Sequence, residues 1–214
     1  MEDLKNPKLA IPVVLMAGIF WSFGPYVVRN IDEANTVPWQ YLFTRGMVIF
    51  ILLNLYLYKE EGISFISNYK KLGISGLIGG AGLAAAMITF IWSITNTSAA
   101  ITLLCLAAMP FITALLGFLF LKETISINVW VTIGVATLGI IIMAIGNHEK
   151  NTLIGFVLGI VSAVGFSVFS VSLRWRKETP KFTTVSLAGL ICFVVSLVVI
   201  INKDLSIFSS SKNQ

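Results

Sequence analysis

Arg45 is a guanidinium inside an otherwise apolar run. A charge at the centre of a membrane span costs ~2.5–3.5 kcal/mol on insertion scales, so one that is kept marks function. Arg45 lies only about two helical turns from the end of its run. Its stem can therefore also snorkel to the interface, or its head can pair with Asp32 or Glu33. Tyr41 sits one turn away on the same face. Two further stripes could bind a solute. Gly18, Trp21, Ser22, Pro25 and Arg29 recur at helical spacing, as do Thr89, Trp92, Ser93 and Asn96. Aromatic, hydroxyl and amide groups on one face suit a mostly apolar pocket with a few directed polar groups. The same residues have a plainer reading, in which the hydroxyls bond back to their own helix and the indoles belong to the interfacial belt.

The residue types needed for covalent or acid–base chemistry are missing from the apolar runs. All 10 Asp and Glu residues lie in loops or at helix ends, and the only histidine, His148, lies in a loop. There is no HExxH, no intramembrane Asp pair and no phosphate-binding loop, so the chain reads as a non-enzyme without metal or cofactor. Gly80-Ala81-Gly82-Leu83-Ala84-Ala85 imitates a dinucleotide fingerprint, but no strand precedes it and it lies within an apolar run, where it serves helix packing. Cys105 and Cys192 lie in apolar runs without metal or disulfide spacing and read as small buried hydrophobes. Proton-driven carriers hold a carboxylate or histidine within a span. The lack of one here favours a facilitator or an exchanger.

The elements that position these residues follow from hydrophobicity. Of 214 residues, 57% are hydrophobic and 12% charged, about half the charge of a soluble domain. This is the composition of an all-α integral membrane protein, a multi-span helical bundle whose first partner is the lipid bilayer. Apolar runs of about the ~20 residues that cross ~30 Å of hydrocarbon fall at 9–28, 39–58, 72–93, 101–121, 128–146, 153–173 and 182–201. The first has no small-residue cleavage site near its end and is a span, not a signal peptide. The third and fourth form a hairpin through Thr95-Asn96-Thr97-Ser98. The third is crowded with small residues, Gly76, Gly79, Gly80, Gly82 and Ala84 to Ala86, and reads as an inner helix. The fourth carries Pro110 mid-span, as a kinked helix lining a cavity would.

Orientation comes from the 15 Lys and Arg residues. With a cytoplasmic N-terminus, that side holds Lys5, Lys8, Lys59, Lys70, Lys71, Lys122, Arg174, Arg176, Lys177 and Lys181, against Arg29, Lys150, Lys203 and Lys212 outside. The basic residues thus set topology, and their excess does not imply nucleic acid. A weak repeat accompanies this topology. Trp21-Ser22 with Arg29 eight residues on is echoed by Phe166-Ser167 with Arg174 eight on, and Pro38 and Pro180 follow. Five spans separate the copies, so they enter the membrane from opposite sides, as in inverted-repeat transporters. Phe166 joins Trp21 among the candidate substrate-binding residues on that basis.

The run Phe90-Ile91-Trp92-Ser93, then Thr97-Ser98-Ala99-Ala100, Pro110, Gly117, Lys122-Glu123, Trp130, Gly134 and Gly139 resembles the EamA domain of the drug/metabolite transporter superfamily. The resemblance covers about 10–146 and continues less clearly to 201. It implies a complete five-helix EamA repeat at 9–146, the first two helices of an inverted second repeat at 153–201, and a polar tail at 202–214. It also puts Arg45 at the outer mouth of a substrate cavity and makes Pro25, Pro110 and Glu123 structural or gating residues. Without the family, Glu123 is a helix-end carboxylate beside Lys122.

The function implied is a secondary transporter that moves small organic metabolites, amino-acid-like, nucleoside-like or drug-like, across the plasma membrane by alternating access. Two repeats of five would need about ten spans. The chain therefore reads as a fragment or an incomplete protomer, completed by C-terminal helices or by homo-oligomerisation. The alternatives are a non-transporting seven-span scaffold or receptor. A retinal protein is disfavoured because the run from Phe182 to Ile201 lacks a lysine.

The charge count predicts that single cysteines at Ser64 and Asn147, in a background lacking Cys105 and Cys192, label oppositely with an impermeant reagent. Asn147 should react from outside and Ser64 should not. The reverse pattern overturns the orientation.

Overall fold

The computed structural model describes residues 11–13, 15–16, 18–19, 38–145 and 152–205. The chain divides into two compact units, Met1–Ala34 and Asn35–Gln214. In the first, the described residues are helical, while Trp21, Ser22, Pro25, Arg29 and most of the expected span 9–28 lie outside the described residues. In the second, every regular element among the described residues is a helix: α1 (Pro38–Glu61), a 3-10 turn (Gly62–Phe65), α2 (Ile66–Lys71), α3 (Gly73–Asn96), α4 (Ala99–Ala107), α5 (Met109–Leu121), α6 (Ile127–Ile145), α7 (Thr152–Trp175) and α8 (Lys181–Asn202). Among the described residues, five stretches are long and apolar enough to cross a membrane: Pro38–Lys71, Gly73–Asn96, Ala99–Leu121, Leu153–Trp175 and Lys181–Asn202. Helix α6 is apolar as well, and its apolar stretch Ile127–Gly139 is shorter. The protein is an all-α, multi-pass membrane protein.

Helix α3 is the centre of the second unit. Its buried positions include Gly76, Gly79, Gly80, Leu83, Met87 and Phe90, which trace a continuous helical face, and Ala86 and Ser93 extend the buried zone around the helix. One side of α3 lies against α7 and another against α8, and α1 packs along α8. Small residues set how closely these helices meet. A Cβ on Gly165 of α7 would stand 2.6 Å from the Gly82 carbonyl oxygen of α3, so the two backbones touch. At the α1–α8 crossing, a Cβ on Gly46 would stand 2.6 Å from the Phe193 amide nitrogen. Lipid tails are as apolar as leucine side chains, so contact of this kind has to come from close packing.

Hydroxyl groups tie the same contacts. Ser162 of α7 donates to the Ala86 carbonyl at 2.9 Å, and Ser93 of α3 donates to the Gly155 carbonyl of α7 at 2.7 Å. Each takes up a spare carbonyl lone pair where no water competes, and mutant cycles in membrane bundles put such a bond at ~0.6 kcal/mol on average. At one end of the bundle, Asn54 of α1 donates to Ser186 of α8 at 2.8 Å and accepts from the Tyr69 hydroxyl of α2 at 2.9 Å.

The expected hairpin differs in detail. Helix α3 runs on through Asn96, which leaves a link of Thr97 and Ser98, and Ser98 caps α4 by accepting from the Ile101 amide at 3.2 Å. The two arms of the hairpin scarcely touch beyond this link, because α7 packs against α3, α4 and α5 alike. The fourth span is broken between α4 and α5 at Ala108, two residues before Pro110, and the Ala108 amide bonds the Cys105 carbonyl at 3.1 Å. Proline has no N–H to return to a carbonyl one turn back, so the span divides here.

Gly165→Ala should destabilise the bundle by about 1–3 kcal/mol, the usual penalty for overpacking, because the obstacle is backbone. Gly134→Ala, where an added Cβ meets nothing within 4 Å, should be neutral or slightly stabilising. Thermal unfolding of the two purified variants reads the difference. Equal midpoints would remove the α3–α7 backbone contact from the account of stability.

Candidate functional site

The start of α1 and the end of α3 lie at the same end of the bundle. Trp39, the second residue of α1, meets Trp92, in the last turn or so of α3, with ring centroids 5.5 Å apart and planes inclined by 58°. Both side chains are half-buried, yet both Nε1 atoms are fully buried and have no hydrogen-bond partner among the described residues. An unpaired buried donor forfeits its hydration without compensation, at about 1–3 kcal/mol. Most buried indoles find an acceptor. Here two neighbouring indoles do not.

Arg45 and Tyr41 occupy α1 beyond Trp39, both half-buried. No carboxylate pairs with Arg45 among the described residues, and Asp32 and Glu33, its suggested partners, lie outside them. The guanidinium lies close enough to the Cys192 thiol of α8 for its charge to act there. Cys192 in turn donates weakly to the Leu42 carbonyl of α1 at 3.6 Å. Arg45 thus lies within a span without a counter-ion from the described residues.

The stripe on α3 divides into two kinds of residue. Thr89 donates to the Ala85 carbonyl at 2.8 Å and Asn96 donates to the Trp92 carbonyl at 2.7 Å, each bonding back to its own helix. Ser93 is fully buried and works as the α3–α7 tie, with Thr102 also 2.8 Å from its hydroxyl. The stripe therefore keeps Trp92 as its free polar donor, and the back-bonding that the sequence left open describes Thr89 and Asn96. Phe166 is half-buried on α7 and its neighbour Ser167 is buried, donating to the Ala163 carbonyl at 2.8 Å.

Pro110 is exposed at the break of the fourth span. Glu123 has a definite partner at the other end of the bundle. Its carboxylate accepts from Arg174 of α7 at 2.9 Å, and the same guanidinium donates to the Thr113 carbonyl of α5 at 3.3 Å. Two features seat the carboxylate. Lys122 adopts a left-handed conformation at φ 56°, and the Glu123 amide bonds the Gly117 carbonyl at 3.2 Å. A Cβ on Gly117 would stand 2.5 Å from the Glu123 oxygen, so the glycine makes room for the pair. With both side chains about two-fifths exposed, the ion pair contributes at most ~1 kcal/mol. An apolar groove of about 340 Å³ opens at this end between α3, α5 and α7. None of the sequence-predicted binding residues lines it.

Trp39 was not among the residues singled out from sequence. A tryptophan directly after Pro38 at the start of a span has the pattern of an interfacial anchor, and nothing in the spacing links it to Trp92, 53 positions away.

Comparison with known proteins agrees with this architecture. An uncharacterized transporter of Bacillus subtilis (strain 168), YwfM, is 27% identical over 152 residues, covering 71% of this chain and 51% of the relative. An uncharacterized transporter of Helicobacter pylori (strain J99) is 26% identical over 172 residues, covering 78% of this chain and 56% of the relative. The chain spans about half the length of these curated relatives. No solved structure matches it significantly. The profile of the EamA-like transporter family matches residues 8–145, more than half of the chain and all of the helices from α1 to α6, and the chain belongs to that family.

Proposed function

We propose that the protein is a secondary transporter that moves small organic metabolites across the plasma membrane by alternating access, with its N-terminus cytoplasmic. The observation that carries this reading is the Trp39–Trp92 pair, two buried N–H donors at the meeting of α1 and α3 that no acceptor among the described residues answers. Hydroxyls and amides elsewhere on α3 are spent on helix ties or on their own backbone. Donors kept dry and unpaired suit a solute that brings its own acceptor, and flanking aromatic faces suit its apolar body. Arg45, without a carboxylate partner among the described residues, adds a cation on the same helix as Trp39.

The moving parts fit the same reading. The break at Ala108 separates α5 from α4, so the two halves of that span can tilt independently. The Glu123–Arg174 pair, at the far end from the tryptophans, is half-exposed and weak enough to open and close. Family membership supports transport, and the length of the relatives supports a working unit in which these helices act with further C-terminal helices or with a second copy. Amino-acid-like, nucleoside-like and drug-like solutes all carry the required acceptors.

Two outcomes test this. Arg45→Ala should insert normally, since removing a charge eases insertion, yet take up less solute in proteoliposomes than the parent. Equal uptake would assign Arg45 to snorkelling. Trp39→Phe and Trp92→Phe keep the ring and remove the N–H. Each should raise KM by about 2- to 10-fold, the equivalent of one neutral hydrogen bond at ~0.5–1.5 kcal/mol, for those members of a metabolite panel that the parent transports. Unchanged KM in both would sink the assignment of the indoles to solute binding.

A further inference from the structure

The groove between α3, α5 and α7 lies at the opposite end from the tryptophan pair, and no residue assigned to solute binding takes part in it. It is lined by Ile78 of α3, Leu116 and Phe120 of α5, and Val168 and Trp175 of α7, with Ser172 the one hydroxyl. It faces outward. Phe120 is 73% exposed, Trp175 53% and Ile78 44%, so much of its wall is outward-facing side chain, while Val171 and Ser172, which also line it, are buried.

The rim of the groove carries an excess of positive charge. Lys122 follows directly on the lining residue Leu121 and is exposed, and Arg176 and Lys177 follow directly on Trp175 and are exposed. The Arg176 guanidinium reaches across to the start of α3, 2.9 Å from where a Cβ on Gly73 would stand. Among the described residues only Arg174 at this rim has an ion-pair partner, Glu123, which leaves Lys122, Arg176 and Lys177 without one. Five cations, Lys122, Arg174, Arg176, Lys177 and Lys181, face two carboxylates, Glu123 and Glu178, within these segments, a local excess of three positive charges.

We propose that this groove is a binding site for an anionic phospholipid, one acyl chain lying along the apolar walls and the phosphate headgroup resting on Lys122, Arg176 and Lys177. The apolar groove alone would accept any acyl chain. The unpaired cations at its mouth select the anionic headgroup, because basic clusters at the ends of spans attract negatively charged lipid. Trp175 stands where chain and headgroup meet, the level at which an indole is most stable in a bilayer. A bound lipid here would bridge α3, α5 and α7 beside the Glu123–Arg174 pair, so lipid composition would bear on how easily that end of the bundle opens.

The test reads Trp175 directly. Full-length protein is reconstituted in vesicles of phosphatidylcholine doped with phosphatidylglycerol or phosphatidylcholine brominated on the acyl chains, and the Trp175 contribution is taken as the fluorescence difference from Trp175→Phe. Brominated phosphatidylglycerol should quench that contribution at a dopant level at least about fivefold lower than brominated phosphatidylcholine, the factor corresponding to ~1 kcal/mol for a single basic residue beside anionic lipid. In Lys122→Gln/Arg176→Gln/Lys177→Gln, all exposed positions, the two lipids should quench alike. Equal quenching by both lipids in the parent would make the groove ordinary lipid annulus and overturn the proposal. No quenching of Trp175 by either would mean that protein, from further helices or a second copy, covers the groove, and would overturn it as well.

Discussion

Everything in the second unit depends on how closely the backbones of α3 and α7 approach. A hydrocarbon solvent offers no hydrophobic gain for bringing two apolar helices together, so association rests on dispersion and on hydrogen bonds between groups that would otherwise stay unpaired. Gly82 and Gly165 let the two helices touch at backbone level, and Ser93 and Ser162 then reach across to carbonyls of the partner helix. Remove the contact and α7 no longer has a fixed position between α3 and α5. The groove on one side and the seat of Arg174 on the other would both lose their definition.

That contact also sorts the polar residues of the spans into two groups. Hydroxyls at small-residue crossings serve as ties, as Ser93 and Ser162 do, and they cannot also bind a solute without loosening the bundle. At one end, the indoles of Trp39 and Trp92 meet with their N–H groups unpaired among the described residues, and Trp39 shares its helix with Arg45, a cation within the span. At the other, an exposed ion pair joins α5 to α7 beside an apolar groove with a basic rim. The two ends of this unit therefore differ in chemistry.

The break in the fourth span shows how local and tertiary causes combine. Pro110 removes one backbone donor, and the helix divides at Ala108 just before it. Pro110 itself is exposed, and α5 lines the groove with Leu116, Phe120 and Leu121. The proline thus acts through the direction it imposes on α5, whose later residues line the outward-facing groove.

The sequence by itself determined the class, the helical character of the apolar runs that the described residues cover and the inner place of α3. Apolar run length against bilayer thickness, the clustering of small residues and the helix-breaking action of proline are properties of a segment considered alone, and each is legible without knowing what the segment touches. The order and spacing of Trp92, Pro110, Gly117 and Glu123 likewise placed the chain in its family. Only the tertiary structure decided which polar groups are ties and which are free. Ser93 and Trp92 are neighbours on one stripe, yet the Ser93 hydroxyl bonds α7 and the Trp92 N–H is left without a partner among the described residues, because they point to different helices. Trp39 becomes a candidate only when Trp92 stands 5.5 Å away, and Glu123 becomes an interhelical contact only when Arg174, 51 residues later, meets it. Periodicity tells which face of a helix a residue occupies. Which helix lies against that face is settled by how all the backbones pack together.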